Sequence, residues 1–165
     1  LPIMHVIVYT LRGLLESHLM DLPDLAELDI LPAVIKAADS LCAALQNYPV
    51  GGVVGMVPTS FDSNWQSEDE DSCLTGNSQL ACFLFRLAHI TNNDKYREIA
   101  ETVLKATKRT QVIETSCMPI RGAIGGSYPL YQGYHANSYP NWAAKFFADA
   151  MLMKILYSKK YAILA

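Results

Sequence analysis

The chain is poor in charge. Asp, Glu, Lys and Arg make up 18% of its 165 residues and balance to a net −3, with a pI near 5.8. No run of Lys or Arg is longer than the pairs Lys108-Arg109 and Lys159-Lys160, so there is no basic field to gather nucleic acid or anionic lipid. Long apolar runs are missing too. Arg12, Glu16, Lys36, Asp39, Arg86 and Lys145 interrupt every stretch before it reaches the ~18–20 residues a bilayer crossing requires, and no membrane partner is expected. No charged start followed by an apolar middle and a small-residue cleavage site opens the sequence. The four cysteines, Cys42, Cys73, Cys82 and Cys117, make neither a C-x-x-C pair nor a Cys/His cluster, which argues against a metal. We read them as reduced thiols of a cytoplasmic protein. Cofactor signatures are also lacking: Gly125-Gly126-Ser127 has neither the preceding strand nor the spacing of a phosphate loop, and no G-x-S-x-G elbow occurs.

Hydrophobic residues, by contrast, fill 51% of the chain, ample for the core of one domain. Helical spacing dominates them. Over 3–20, IMHVIVYTLRGLLESHLM, apolar side chains cover most of the circumference, while His5, Tyr9, Arg12 and Glu16 recur within roughly 60° of one another. The segment LPAVIKAADSLCAAL begins near Asp29, tolerates Pro32 in its first turn and is amphipathic, so it should return antiparallel. A long connection from Gln46 to Ser72 carries Trp65 and the acidic run Glu68-Asp69-Glu70-Asp71. Connections of that length are usually functional or disordered. Thr75 offers an N-cap for GNSQLACFLFRLAHI, whose polar exceptions Thr75, Gln79 and Arg86 align. After Asn92-Asn93-Asp94, DKYREIAETVLKATKRTQ alternates its charges as a solvent-facing helix does. A second connection, about 111–138, leads through Asn137 or Ser138 as a cap and Pro140 into NWAAKFFADAMLMKILYS. Five helices with no convincing strand predict a single all-α domain over 1–165.

Helices apolar on most faces alternate here with amphipathic ones. The first kind must be surrounded, while the second leaves one side wet. Stacked hairpins with the apolar helices inside form a helical toroid, with both long loops at one end. The phrases LTGNSQLA, RGAIGGSYPLYQGY and PNWAAKFFADA carry a resemblance as well. From about His5 to Met153 the chain resembles the (α/α) toroids, the group of six-hairpin glycosidases, polysaccharide lyases, sugar epimerases and terpenoid cyclase-like proteins. It is also similar to an uncharacterised bacterial toroid family associated with polysaccharide genes. The resemblance implies the toroid architecture and carbohydrate chemistry; it says little about the reaction, because one fold hosts many. A full toroid has about six hairpins and this chain about two and a half. We therefore expect a fragment or C-terminal part of a larger toroid, completed by missing hairpins of the same polypeptide or by another copy, the alternative being a self-contained five-helix bundle. A terpenoid-type enzyme is disfavoured, since no D-D-x-x-D or D-x-D-D motif occurs.

If the N-terminal ends of the inner helices face the loop-bearing rim, their free N–H groups favour anionic ligands. His5 and Tyr9, Thr75, Asn77 and Gln79, and Asn141, Trp142 and Lys145 then converge, and of these we take His5, Tyr9, Gln79, Asn141, Trp142 and Lys145 as substrate-binding. Glu68 and Asp69 are candidate general acid and base beside a sugar stacked on Trp65, with Asp62 or Asp149 as an opposing carboxylate. The same run serves equally as a hydrated stretch before a helix N-terminus. Tyr128, Tyr131, Tyr134 and His135 offer rings and directional hydrogen bonds to a sugar, with Tyr131 and His135 as proton carriers and Arg121 to hold a uronate carboxylate. Tyrosines also brace long loops, and Arg12 and Glu16 read as an i,i+4 pair. The convergence points to a carbohydrate-active domain working on an acidic poly- or oligosaccharide by hydrolysis or elimination. The alternative is a non-catalytic helical scaffold or interaction module in polysaccharide biosynthesis.

Overall fold

The computed structural model describes residues 1–25 and 27–162, with side chains through Tyr157 except at position 26. Five helices make up most of it: α1 (Met4–Leu19), α2 (Ile30–Asn47), α3 (Leu74–Thr91), α4 (Asp94–Lys108) and α5 (Asn141–Ala162). No helix among the described residues is long and apolar enough to cross a membrane.

The central element is α3. Every residue from Leu74 to Phe85 is buried, as its nearly continuous apolar circumference demands. It packs against α1, α4 and α5, while α2 lies on α1, and α4 also touches α5. Gly76 permits the tightest of these approaches, for a Cβ there would come within 2.9 Å of the Met4 side chain. On the outer side, Tyr96 of α4 donates its hydroxyl to Asp39 of α2 at 3.0 Å.

Helix ends depart from expectation in two places. Cys73, rather than Thr75, caps α3, its sulfur accepting from the Gly76 N–H at 3.4 Å; Thr75 already lies inside the helix. Nor do Asn137 and Ser138 cap α5, which starts at Asn141; Ser138 instead donates its hydroxyl to the His135 carbonyl. α4 ends at Lys108, three residues short of the expected segment, and α5 runs on to Ala162; Asn93 caps α4 by accepting from the Lys95 N–H at 3.1 Å.

The two long connections meet. Ser72–Cys73 (β1) pairs antiparallel with Ser127–Tyr128 (β2), a ladder of two residues a side. It is too short for any alternation of apolar and polar residues to announce it. The first connection also clamps the start of α1, because the Thr59 carbonyl accepts from the Met4 N–H at 2.7 Å and Ile3 bridges Ser60. Asn77, fully buried on α3, holds that connection from below. Its Oδ1 accepts from the Val57 N–H and the Ser72 hydroxyl, each at 3.3 Å, and its Nδ2 donates to the Gly55 carbonyl at 3.1 Å.

Asn77→Ala leaves the Val57 N–H and Gly55 carbonyl buried without their partner, and should lower the unfolding free energy by about 3 kcal/mol. Urea titration of the full chain checks this. An unchanged midpoint would show that the loop holds itself.

Candidate functional site

Ring and ion-pair contacts fix the relative direction of three helices. The starts of α1 and α5 meet through the loop between them: His5 lies 4.9 Å from Tyr134, Tyr134 4.3 Å from His135, and His135 5.2 Å from Trp142. Cys73, at the start of α3, has its sulfur 3.9 Å from His5 Nδ1. Further along, Glu16 of α1 meets Arg86 of α3 at 3.2 Å, and Tyr157 of α5 stacks near Phe85 and His89. Hence α1, α3 and α5 run parallel, side by side, with α3 in the middle.

Their polar stripes share one face. Tyr9 and Arg12 of α1, Gln79 of α3, and Lys145 and Asp149 of α5 line a groove of about 490 Å³, together with Val8, Cys82, Phe146, Leu152 and Met153. Tyr9 and Phe146 meet edge to face across it at 5.7 Å. Lys145 pairs with Asp149 at 2.6 Å and sits 4.0 Å over the Phe146 ring. At the far end Glu16 accepts from Arg12 Nε at 2.6 Å and from both Nε and Nη2 of Arg86. The i,i+4 pair expected from sequence is present, and Arg86 extends it between helices. Burial alone would raise the Glu16 pKa, but the hydrogen bonds from Arg86 and Arg12 outweigh it and hold the carboxyl below its ordinary value.

The near end is aromatic and close to neutral. Burial, reinforced by the neighbouring His135, lowers the His5 pKa below its ordinary value, so the fold favours the neutral imidazole. Its neighbour Cys73 is no nucleophile, because burial pushes the thiol up to about 11 despite its place at a helix N-terminus. Gly126 brings the loop onto this cluster: a Cβ there would lie 2.6 Å from the His135 side chain and carbonyl oxygen.

The structure thus gathers His5, Tyr134, His135 and Trp142 at the mouth and Tyr9, Gln79 and Lys145 in the groove. Glu68, Asp69 and Tyr131 come together elsewhere, in an open depression of about 490 Å³ bordered by Tyr48–Gly51 and Gln132. Within it Asp69 is occupied in holding the loop, accepting from both the N–H and hydroxyl of Ser60 at 2.7 Å. Trp65 is in neither place; it packs on the core with its ring 6.1 Å from Phe61. Asp62, once a candidate carboxylate, accepts from the N–H groups of Asn64 and Gln66. Tyr128 packs on the core as a loop brace, its ring close beneath Gly51. Arg121 is exposed after the turn at Met118–Ile120, and Asn141 is exposed at the first position of α5. Sequence reasoning assigned no role to Phe146, because an aromatic on an apolar helix reads as core.

Comparison of the chain with known family models, curated proteins and solved structures returns no match.

The His5 shift has a testable sign. The unfolded chain binds this proton more readily than the folded one, so the contribution is complete above the ordinary histidine pKa of about 6.5 and is lost as pH falls below it. The melting temperature should therefore fall between about pH 7.5 and pH 5.5, and His5→Phe should flatten the decline. An NMR titration placing the His5 pKa at or above that of an unfolded-state histidine would contradict it.

Proposed function

We propose that this chain is a carbohydrate-active domain of the (α/α) toroid type, which binds an acidic poly- or oligosaccharide along the α1–α3–α5 groove and cleaves it by hydrolysis or elimination. The observation that carries the reading is what lies along the parallel helices α1, α3 and α5: an aromatic cluster at their starts, a groove with isolated polar groups, and a charged cluster further along. Apolar faces of a pyranose suit the rings of Tyr9, Phe146 and Trp142, and its hydroxyls need separate directional partners. Lys145, Arg12 and Arg86 outnumber Asp149 and Glu16 along that face, which favours a substrate bearing carboxylates.

Of the two reactions, elimination has the better support. Hydrolysis calls for two carboxyl groups about 5–10 Å apart and free to act, whereas Asp69 is held by Ser60 and Asp149 by Lys145. In elimination, His5 takes the proton from the carbon next to the uronate carboxylate. The electron pair moves to form the ring double bond, the glycosidic oxygen leaves, and Tyr134 or His135 supplies its proton. The domain would then be part of a larger cytoplasmic toroid. Further hairpins of the same polypeptide, or another copy, would cover Ile155 and Leu156, which α5 leaves exposed. The free thiols Cys42, Cys73 and Cys82 accord with that compartment.

The same exposed apolar side chains favour a second reading, a non-catalytic helical scaffold or interaction module in polysaccharide biosynthesis. Turnover separates the two. On uronate-containing oligosaccharides, elimination produces an unsaturated product whose conjugated carboxylate absorbs in the ultraviolet; His5→Ala should reduce its rate by about 100-fold or more, and Trp142→Ala should weaken binding about tenfold. Binding without turnover would favour the scaffold, and the absence of both from a glycan array and from kinetics would sink the carbohydrate reading.

A further inference from the structure

Two polar side chains of α3 are left without partners, and one of them, Gln79, lines the groove. Gln79 is 4% exposed, and neither Oε1 nor Nε2 of its carboxamide meets a protein group. One helical turn earlier Thr75, 3% exposed, has an equally unpartnered hydroxyl. Their neighbours on α3 differ. Asn77 is bonded to the first long connection, and Ser78 donates to the Leu74 carbonyl at 2.8 Å. Buried polar groups are nearly always paired, so an orphaned carboxamide facing a groove calls for an explanation of its own. Above it, Tyr9 and Phe146 reach from the helices on either side of α3 and meet edge to face.

We infer that Gln79 determines ligand specificity in this groove by reading two adjacent hydroxyls of a pyranose ring. A primary carboxamide offers one acceptor and one donor side by side in a plane. Its complement must therefore present a donor and an acceptor on neighbouring atoms. A vicinal diol does so, one hydroxyl donating to Oε1 while the next accepts from Nε2. A carboxylate has only acceptors and would leave Oε1 unpaired, and a secondary amide turns its N–H and C=O to opposite sides. The ligand reaches the carboxamide when the Tyr9 ring, 56% exposed, swings away from Phe146. That ring then packs on the sugar face. This assignment rests on reading the groove as a sugar site, and it adds which part of the sugar is read and by what.

Methyl β-glucuronoside and its 3-deoxy analogue test it by ligand titration of the full chain, followed by NMR. Oxygen 3 belongs to both pairs of adjacent free ring hydroxyls, so its removal breaks either. Wild type should bind the parent about tenfold or more tightly than the 3-deoxy compound, and Gln79→Met should lose that discrimination. Gln79→Met should melt no lower than wild type, since it removes an unpaired buried amide of similar volume. In the unmodified chain the Gln79 side-chain NH2 resonances should shift on titration with the parent, which keeps the test independent of how the variant folds. Discrimination that persists in Gln79→Met, or binding that leaves those resonances unmoved, overturns the assignment of Gln79 while the groove remains a sugar site. If the parent moves no resonance of Tyr9, Lys145 or Phe146, the groove is no sugar site and both readings fall.

Discussion

Everything in this molecule follows from the need to surround α3. A helix that carries apolar residues around its whole circumference has no side to show to water, and its first three turns are buried without exception. The surroundings come from α1, α4 and α5 and from the two long connections, which meet over its N-terminal end. Burial on this scale places a condition on every polar group that α3 contains. Asn77 meets it by holding the first connection, Ser78 by bonding back along the helix, and Arg86 by reaching Glu16. Cys73 meets it by capping. Thr75 and Gln79 alone do not.

Most of the helical architecture was legible because the period of the apolar residues is long and unbroken in each segment. The stripes on α1 and α3 could be read separately from 3- and 4-residue spacing, and so could the pairing of Arg12 with Glu16. Their meeting could not, since nothing local relates Glu16 to Arg86, seventy residues away. Capping by Cys73 escaped notice because a thiol is a weak acceptor and Thr75 is a better-known cap. Loop aromatics were ambiguous for a different reason. Trp65 and Tyr128 became braces, and Tyr134 became part of the mouth, according to which surface each loop happened to cross. A ring carries no mark of which it will be. The acidic run divides in the same way, with Asp69 and Asp71 tied to Ser60 and Thr59 while Glu68 stays exposed.

The groove has two ends of opposite character. At the far end two guanidinium groups donate to one carboxylate; the Arg12 bond to Glu16 lies within α1, and the two from Arg86 join α1 to α3 and set their register. These groups are partly exposed, so their contribution to stability is modest, on the order of 1 kcal/mol or less per pair; their geometric effect is the larger one. At the mouth no ion pair acts. His135 is held there in the left-handed backbone region at φ 58°, by backbone and hydroxyl contacts of the loop and by the close approach of Gly126. Holding a residue other than glycine in that region costs roughly 1 kcal/mol or more, and the cost is met where a side chain must point in a direction that extended backbone would not allow.

A far end fixed by helix packing and a loop-built mouth differ in how rigidly they hold their side chains. Elements held by helix packing and ion pairs can position a group to within a fraction of an ångström, whereas a loop braced by a few hydrogen bonds adjusts to its ligand. Gln79 belongs to the first class, since its backbone lies in the most completely buried part of α3. His5 shares that rigidity through Met4, which packs against Gly76, while Tyr134 and His135 belong to the loop. An unyielding floor is thus joined to an adjustable mouth, the one set by the burial of α3 and the other by the path of the loop.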